Sequence, residues 1–312
     1  MKGRSRSFFA FAFAATASAI AFLAPPAQAQ PLLRVEKVAD GVWGAQAQTG
    51  ANVGWFISGD GVVVVDAGAT PSIARAMLQK IAETAKKPVR TLILTHAHAD
   101  HVGGARVFAA SGAQVVCSEN AATSIAGFLF SPPNPKDPAD AKVSAGSRLL
   151  TLSERMIFVA PSQQVQVYFL GPAHTNGDLV VLLLKEKVLF TGDVVINAPM
   201  PYMQSPDCDP LSWERVLVKL AGLSVDVVVP GHGVIGPTAG IQATGLYVQK
   251  SVKLARMLIE TAVPEELFNV RLSAPDSMIE NVPLNDQHLA NIKAVVRFER
   301  ERLKNAEKEK KG

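Results

Sequence analysis

The stretch THAHADHVGG, from Thr95 to Gly104, places three of the chain's six histidines and one aspartate within six residues. It continues an apolar run, residues 89–95, that predicts a short buried strand. The two glycines at its end favour a compact turn, which can direct successive side chains towards one point where an extended strand cannot. Neutral imidazole and carboxylate are ligands that suit zinc. The stretch therefore predicts a metal site, and a histidine-rich surface loop or a helix-capping cluster is the simpler alternative.

Three more candidate ligands lie further along the chain, each at or just after the end of a predicted strand. His174 follows Leu-Gly-Pro-Ala in a loop, Asp193 follows Thr-Gly, and His232 stands between two glycines that leave room for close approach. Taken singly, each has an ordinary interpretation, such as a polar loop residue, a turn residue or a helix N-cap. The sixth histidine, His288, falls outside every motif, and we interpret it as structural.

The spacing of apolar residues predicts two rounds of strands followed by helices. The predicted strands are residues 53–58, 62–66, 89–95, 113–117, 156–160, 165–170, 179–184, 188–191 and 225–229. The predicted helices are residues 71–81, 102–110, 121–130, 211–223, 239–261 and 285–308. This order lacks regular βαβ repetition and favours an α/β (α+β) fold, in which two mixed sheets lie between two layers of helices.

Residues 1–29 have the composition of a secretory signal peptide. Lys2, Arg4 and Arg6 precede an apolar run at residues 8–24, and Ala27-Gln28-Ala29 supplies a small-x-small cleavage pattern. A single-span membrane anchor is the alternative, because the run approaches the shortest spanning length. The basic residues before this run include no Arg-Arg pair, which favours general secretion over twin-arginine export. We expect a periplasmic or secreted protein, cut after Ala29, with no stable membrane anchor after cleavage.

The charge of the chain gives no support for nucleic-acid binding. The sequence has 31 Lys and Arg against 27 Asp and Glu, a net charge of +4. Removal of the three cations of the signal peptide leaves about +1. The basic cluster at residues 304–311 is typical of a solvated helix end. We expect a small-molecule substrate and no nucleic-acid partner. The amphipathic pattern at 285–308 favours packing on its own domain, with dimerisation as the alternative, so the oligomeric state stays open.

Cysteine and loop composition leave further alternatives open. Cys117 and Cys208 could pair in an exported protein, although one pair does not make a disulfide framework, and Cys117 ends a β-like run typical of a buried residue. The Met- and Pro-rich loop at 197–210 follows Asp193 and should overhang the site, as an apolar lid or as ordinary packing. The insertion at 126–138 is a candidate second rim.

Taken together, these motifs resemble those of the metallo-β-lactamase superfamily. His96 to His101 matches its H-x-H-x-D-H signature. The family's other motifs are matched in the same order by Val65-Asp66-Ala67-Gly68, Gly171 to His174, Thr191-Gly192-Asp193 and Gly231-His232-Gly233. The resemblance covers residues 35–236 and implies a four-layer αββα sandwich. It divides the chain into a signal peptide at 1–29, a catalytic domain at 30–240 and C-terminal helices at 241–312 packed on the same domain.

The resemblance also implies a ligand set for two metal ions. His96, His98 and His174 would hold the first ion, Asp100, His101 and His232 the second, and Asp193 would bridge them, while Asp66 would orient the histidine loop. The expected cofactor is two zinc ions (Zn²⁺) per chain, with iron also compatible because imidazole and carboxylate suit both metals. Two such ions about 3.5–4 Å apart share and activate a water as hydroxide. Asp100 would also orient the nucleophile or carry its proton.

The predicted reaction is hydrolysis of an ester, thioester, lactone or amide-type bond in an exported enzyme. Asp193 resembles the bridging residue of glyoxalase II-like hydrolases, whereas dedicated β-lactamases of the family carry Cys or Ser there and a Lys where this chain has Ile196. The layout from Asp193 to His232 resembles exported members found with quinoprotein dehydrogenases. A β-lactamase proper, a mononuclear iron sulfur dioxygenase and a non-catalytic binding module remain alternatives.

Overall fold

Twelve strands and eight α-helices form in the part of the chain that the computed structural model describes, residues 32–59, 61–144, 146–160, 163–198, 200–279 and 282–310. The predicted signal peptide lies outside these residues. Within them, none of the helices combines the length and the apolar character that a bilayer crossing requires.

The strands form two mixed sheets. The first sheet contains, in spatial order, β1 (Leu33–Ala39), β2 (Val42–Ala47), β3 (Val53–Ser58), β4 (Gly61–Val65), β5 (Val89–Ile93), β6 (Gln114–Ser118) and β7 (Leu149–Leu152). Its first four strands are antiparallel, and β4 to β7 run parallel. The second sheet has the order β12 (Val227–Gly233), β11 (Val188–Asn197), β10 (Leu179–Leu183), β9 (Gln163–Phe169) and β8 (Arg155–Ala160). Only β11 and β12 pair in parallel in this second sheet.

The helices cover the outer faces of the two sheets. They are α1 (Pro71–Thr84), α2 (Ala99–Val102), α3 (Ala105–Ala110), α4 (Ala122–Leu129), α5 (Pro210–Ala221), α6 (Ala239–Glu260), α7 (Phe268–Leu272) and α8 (Asp286–Glu309). Local sequence explains where the long helices begin. Thr70, Asp209 and Asn285 cap α1, α5 and α8 by accepting a backbone N–H, and proline occupies the first turn of α1 and α5.

Three apolar clusters separate these layers. One cluster lies between the two sheets and includes Phe56 and Phe190, whose ring centroids are 6.2 Å apart. A second cluster packs α1, α3 and α4 on the first sheet, and a third packs α5 to α8 on the second sheet. Helix, sheet, sheet and helix therefore follow one another, and the predicted αββα sandwich is confirmed.

The structure differs from the sequence prediction at several boundaries. Strands β1, β2 and β7 were absent from the predicted set, and the predicted helix at 102–110 is divided at Gly103 and Gly104 into α2 and α3. The strand predicted for 188–191 continues to Asn197. As a consequence, Asp193 lies inside β11, and the expectation that it follows the end of a strand is wrong. His232 is the penultimate residue of β12, at the end of that strand.

Candidate metal centre

The seven predicted ligands meet at one edge of the sandwich in two adjoining groups. The first group contains His96, His98, His174 and Asp193, and the second contains Asp100, His101 and His232. In each group the candidate ligand atoms all lie within 4.8 Å of one another. Ligands that surround a zinc ion tetrahedrally at about 2.1 Å lie about 3.4 Å apart, so this spacing fits a metal ion.

The first group is largely shut off from solvent. His96 and His174 are fully buried, and His98 is partly buried. Nε2 of His174 lies 2.9 Å from Nδ1 of His98 and 3.3 Å from Oδ2 of Asp193, while Nε2 of His96 lies 4.0 Å from the same oxygen. Three imidazole nitrogens and one carboxylate oxygen therefore face a common point.

The second group is more open. His101 is buried, whereas the side chains of Asp100 and His232 are about one third exposed. Nε2 of His232 lies 3.1 Å from Oδ2 of Asp100, and Nε2 of His101 lies 3.8 Å from the same oxygen. Solvent and small molecules reach the centre from this side.

Asp193 connects the two groups through its two oxygens. Oδ2 faces His96 and His174, while Oδ1 lies 3.1 Å from Nε2 of His101 and 3.5 Å from Nε2 of His232. The approach depends on Gly231, because a Cβ atom at that position would collide with Oδ1 of Asp193.

Asp66 holds the histidine loop by three hydrogen bonds. Its Oδ1 accepts the backbone N–H of Thr95 at 2.8 Å, and its Oδ2 accepts the Thr95 hydroxyl at 2.9 Å and lies 2.8 Å from Nδ1 of His101. With Nδ1 of His101 donating to this carboxylate, Nε2 is the nitrogen that faces the second group. The Thr95 hydroxyl also lies 3.1 Å from Nδ1 of His96, which leaves Nε2 of His96 for the first group.

His174 is fixed from two directions. Its Nδ1 lies 2.9 Å from the carbonyl oxygen of Tyr202, an acceptor, so the nitrogen that faces the first group is Nε2. The turn after it is closed by Asp178, which accepts the backbone N–H and the hydroxyl of Thr175, both at 2.8 Å. Burial raises the pKa of Asp178 to about 7, although the hydrogen bonds from Thr175 oppose the shift. The indole ring of Trp213 packs edge-on against His174 at 5.6 Å.

His98 meets a polar pair on the loop after β11. Its Nε2 lies 3.4 Å from the hydroxyl of Ser205, and that hydroxyl donates to Oδ1 of Asp207 at 2.5 Å. Because the Ser205 proton goes to Asp207, the Ser205 oxygen accepts from Nε2–H of His98. Nδ1 of His98 is thereby left with a lone pair for the first group, an arrangement typical of histidines that bind metals.

Buried polar atoms without partners indicate that this donor set fits a cation. Among the described residues, Nε2 of His96, Nε2 of His101 and Oδ1 of Asp193 are buried and make no hydrogen bond, although they lie close to other polar atoms. A buried polar atom left unpaired costs about 1–3 kcal/mol. Divalent metal ions coordinated by these atoms would remove that cost.

The pKa shifts of the candidate ligands show which of them are neutral and which are charged. Burial, with the charge of His101, holds the pKa of His96 well below its usual value, and burial lowers the pKa of His174 to about 4. Burial also favours a low pKa for His101, but the carboxylates of Asp193 and Asp66 outweigh it and hold the pKa well above 6.5. Burial would raise the pKa of Asp193, yet the neighbouring His101 and His174 keep it well below its usual value. An ionised carboxylate beside neutral imidazoles suits cation binding.

The structure also places the residues whose function the sequence left open. Cys117 and Cys208 are both free and buried, and they belong to apolar clusters on different sheets. His288 lies in the packed C-terminal helices, where its Nδ1 is 2.9 Å from the hydroxyl of Tyr247. The contributions of Tyr202 and Ser205 to the centre were not predicted, because a carbonyl contact and a loop hydroxyl leave no motif in the sequence.

The loop after β11 overhangs the first group, as predicted. Met200, Met203 and Cys208 point into the apolar cluster on the second sheet and are packing residues, whereas Tyr202 is 43% exposed beside the site. In the 126–138 insertion, Leu129 is buried and Phe130 is exposed. Arg106 fastens that segment by an ion pair with Asp140 and a hydrogen bond to the carbonyl of Phe128.

An αββα sandwich with histidines and aspartates gathered at one edge of its sheets defines a class of α/β proteins with a candidate metal centre, and comparison with known proteins identifies the family. The family model of the metallo-beta-lactamase superfamily matches residues 48–232. The chain therefore belongs to the metallo-beta-lactamase superfamily, and the resemblance predicted from its sequence motifs is confirmed.

Curated relatives include enzymes of different kinds. The chain is 30% identical over 201 residues to the 2,4-dinitroanisole O-demethylase subunit alpha of Nocardioides sp., covering 64% of this chain and 55% of that one. It is 25% identical over 268 residues to a linear primary-alkylsulfatase of Pseudomonas sp., covering 74% and 49%. It is 25% identical over 181 residues to the metallo-beta-lactamase type 2 of Bacillus cereus, covering 56% and 64%. The chain thus spans between 49 and 64% of the length of these relatives.

Solved structures share the fold. A metallo-beta-lactamase from Pontibacter korlensis superposes with a TM-score of 0.58 at 27% identity, over 70% of this chain and 99% of that one. The FIM-1 metallo-beta-lactamase from Pseudomonas aeruginosa, in a mono-zinc form, superposes with a TM-score of 0.57 at 18% identity, over 72% and 99%. The second likeness concerns the fold alone.

Proposed function

We propose that this chain is an exported hydrolase that holds two zinc ions and cleaves an ester, thioester, lactone or amide-type bond in a small molecule. One observation carries the proposal: the two oxygens of Asp193 face two different groups of ligand candidates, Oδ2 the first and Oδ1 the second. A carboxylate placed in this way suits a bridge between two ions. Dizinc sites also use imidazole and carboxylate ligands of the kinds gathered here.

When bound in these two groups, zinc ions supply Lewis acidity and a water activated near neutral pH. The chain's own residues provide positioning and proton transfer. Burial alone would raise the pKa of Asp100, but its hydrogen bond with His232 and the charge of His101 lower it, so the carboxylate is ionised at neutral pH. Asp100 is also partly exposed on the open side of the centre. Its carboxylate can therefore orient the attacking water and accept the proton that the water loses.

The substrate is not a typical β-lactam in this proposal. Dedicated lactamases of the family carry Cys or Ser at the position of Asp193 and Lys at that of Ile196. Ile196 is buried in β11, with its backbone N–H bonded to the hydroxyl of Thr244. An apolar residue buried at that position offers no cation for a substrate carboxylate. The names of the relatives cover an aryl methyl ether, an alkyl sulfate and a β-lactam, so these three bond types belong in a substrate panel with thioesters and lactones.

Metal analysis and a substrate panel test the proposal together. We expect about two zinc ions per chain and turnover of at least one ester, thioester, lactone or amide-type substrate. Asp193→Ala should lose metal from both groups and activity with it, whereas Val218→Ala, a change at an exposed position on α5, should lose neither. About one iron per chain, with oxygen consumption on a persulfide, would instead establish the sulfur dioxygenase alternative.

Export is tested separately. The basic start, apolar run and Ala27-Gln28-Ala29 pattern support cleavage after Ala29. Expression with the full leader, followed by cell fractionation and intact-mass measurement, should recover in the periplasm or medium a chain that begins at Gln30. Recovery of the uncut chain in the membrane fraction would favour the anchor alternative.

A further inference from the structure

Tyr202 occupies a fixed position beside the first group of candidate ligands. Its ring centroid lies 6.2 Å from those of both His98 and His174, in edge-on geometry. Tyr202 is 43% exposed, so part of the residue is open to solvent beside the two histidines. Aromatic rings prefer edge-on or offset contacts at centroid distances of 4.5–7 Å, and a further ring can join this arrangement from the solvent side.

The backbone around Tyr202 is held by the C-terminal helix α8. The side chain of Asn291 donates to the carbonyl of Pro201 at 2.8 Å and accepts the N–H of Met203 at 3.0 Å. Asn291 is fully buried and also donates to the hydroxyl of Tyr247. Because both neighbours of Tyr202 are bonded to one buried side chain, the ring is presented on a rigid backbone.

The loop that carries this ring contributes negative charge of its own. Asp207 lies on the same loop, is exposed, and bonds to the Ser205 hydroxyl that meets His98. Burial would raise the pKa of Asp207, but hydrogen bonds from Ser205 and from the Asn176 backbone lower it, so the group is ionised at neutral pH. The four segments that carry the ligand candidates, residues 94–105, 170–184, 188–214 and 228–249, contain no Lys or Arg.

We propose that Tyr202 determines substrate specificity by binding an uncharged aromatic group beside His98 and His174. This inference rests on the proposed function, because it places the aromatic group of the substrate next to the first metal group. It adds a substrate class: uncharged esters, thioesters or related compounds that carry an aryl ring, in preference to saturated or anionic analogues.

Binding of hydroxamates to the zinc-loaded protein tests the inference without any need for turnover. The three probes are phenylacetohydroxamate, its cyclohexyl analogue and its 4-carboxyphenyl analogue, which share one metal-binding group. We expect the phenyl compound to bind about 3- to 10-fold more tightly than the cyclohexyl compound. The carboxylated compound should bind at least about twofold more weakly than the phenyl compound, because of repulsion by Asp207.

Two substitutions assign the preference to the side chain of Tyr202. Tyr202→Leu should abolish the preference for the phenyl compound while zinc content stays unchanged, because the hydrogen bond that orients His174 goes to the Tyr202 backbone carbonyl, which leucine keeps. Tyr202→Phe should keep the preference, and Asp207→Asn should lift the penalty on the carboxylated compound. Val218→Ala, on the exposed face of α5, is the control.

The possible failures are distinguishable. Zinc-loaded wild-type protein that binds the phenyl and cyclohexyl compounds equally would overturn the inference and leave the metal proposal standing. A Tyr202→Leu variant that keeps its zinc and its phenyl preference would also overturn it. A protein that binds no zinc would contradict the proposed function itself.

Discussion

The substitution Asp66→Asn should disturb both metal groups although Asp66 belongs to neither. In the wild-type protein, Oδ1 of Asp66 accepts the N–H of Thr95, so the oxygen of an asparagine must take that position. The amide nitrogen then takes the place of Oδ2 and donates a hydrogen bond to Nδ1 of His101. In the wild-type protein this nitrogen is the donor to the carboxylate, so the substitution turns it into an acceptor. The proton of His101 moves to Nε2, the nitrogen that faces Asp193 at 3.1 Å.

The change extends to the first group through Thr95. The amide nitrogen also donates to the Thr95 hydroxyl, which must then donate to Nδ1 of His96 at 3.1 Å instead of accepting from it. Loss of a partner that orients a ligand typically lowers metal affinity by 10- to 100-fold. We expect a loss of about 10- to 100-fold in the second group, or about 1.4–2.7 kcal/mol, and a smaller loss in the first.

Competition for zinc between the protein and a chromophoric chelator measures the zinc affinity of the first group and that of the second group separately. Thr95→Val is the matched control, because it removes the hydroxyl that orients His96 but leaves the contact between Asp66 and His101. It should weaken the first group alone. Thermal unfolding of the metal-free variants checks that both are folded. An Asp66→Asn protein with wild-type affinity at both groups would refute the tautomer argument.

Three further outcomes follow from the same contacts. His101 and His232 have raised pKa values, so zinc binding near pH 7 should release protons, and calorimetric heats should vary with the ionisation enthalpy of the buffer. In the metal-free protein, the raised pKa values of these two histidines stabilise the fold at pH values below the ordinary histidine pKa. That stabilisation is lost as the pH rises through the raised pKa values. A free energy of unfolding that increases over this pH range would contradict the assignment. Zinc at about 100 times its Kd should raise the melting temperature by about 5–10 °C over protein in EDTA, and an unchanged melting curve would argue against binding to the folded state. Arg106→Met removes the cation beside Asp140, which keeps the backbone N–H groups of Asn134 and Ala141, and should cost about 1–3 kcal/mol in urea unfolding; an unchanged free energy of unfolding would show the pair to be dispensable.

Apolar spacing predicted most of the strands and helices that form the three apolar clusters. Helix α1 combines a proline in its first turn with buried residues at helical spacing, and β10 is buried along its whole length. The missed strands β1 and β7 lie at the two ends of the first sheet and are only partly buried. Edge strands depend on pairing with a neighbour more than on their own apolar pattern, so the sequence carries a weak signal for them.

The candidate ligands could be found from the sequence because their spacing within short motifs is distinctive. The residues that hold them in place could not. Asn291 is 88 residues from Met203 and Tyr202 is 28 from His174, and both contacts run through backbone atoms that any residue would supply. Such contacts arise only when the second sheet and α8 pack together, which no local pattern records.

The position of Asp193 shows why strand assignment alone could not place the bridging carboxylate. In the pairing of β11 with β12, the register shifts between Phe190 and Gly192 and again between Gly192 and Ile196. Gly192 has a φ of 48°, a left-handed conformation that suits glycine. An irregularity of this kind bends a strand and re-aims its side chains, so Asp193 stands out from the regular ladder. Its carboxylate reaches both groups because β11 departs from regular geometry where the ligands meet. A regular strand through Asn197 would assign residues strictly to alternate faces of the sheet, so the direction of this side chain could not be read from the strand pattern alone.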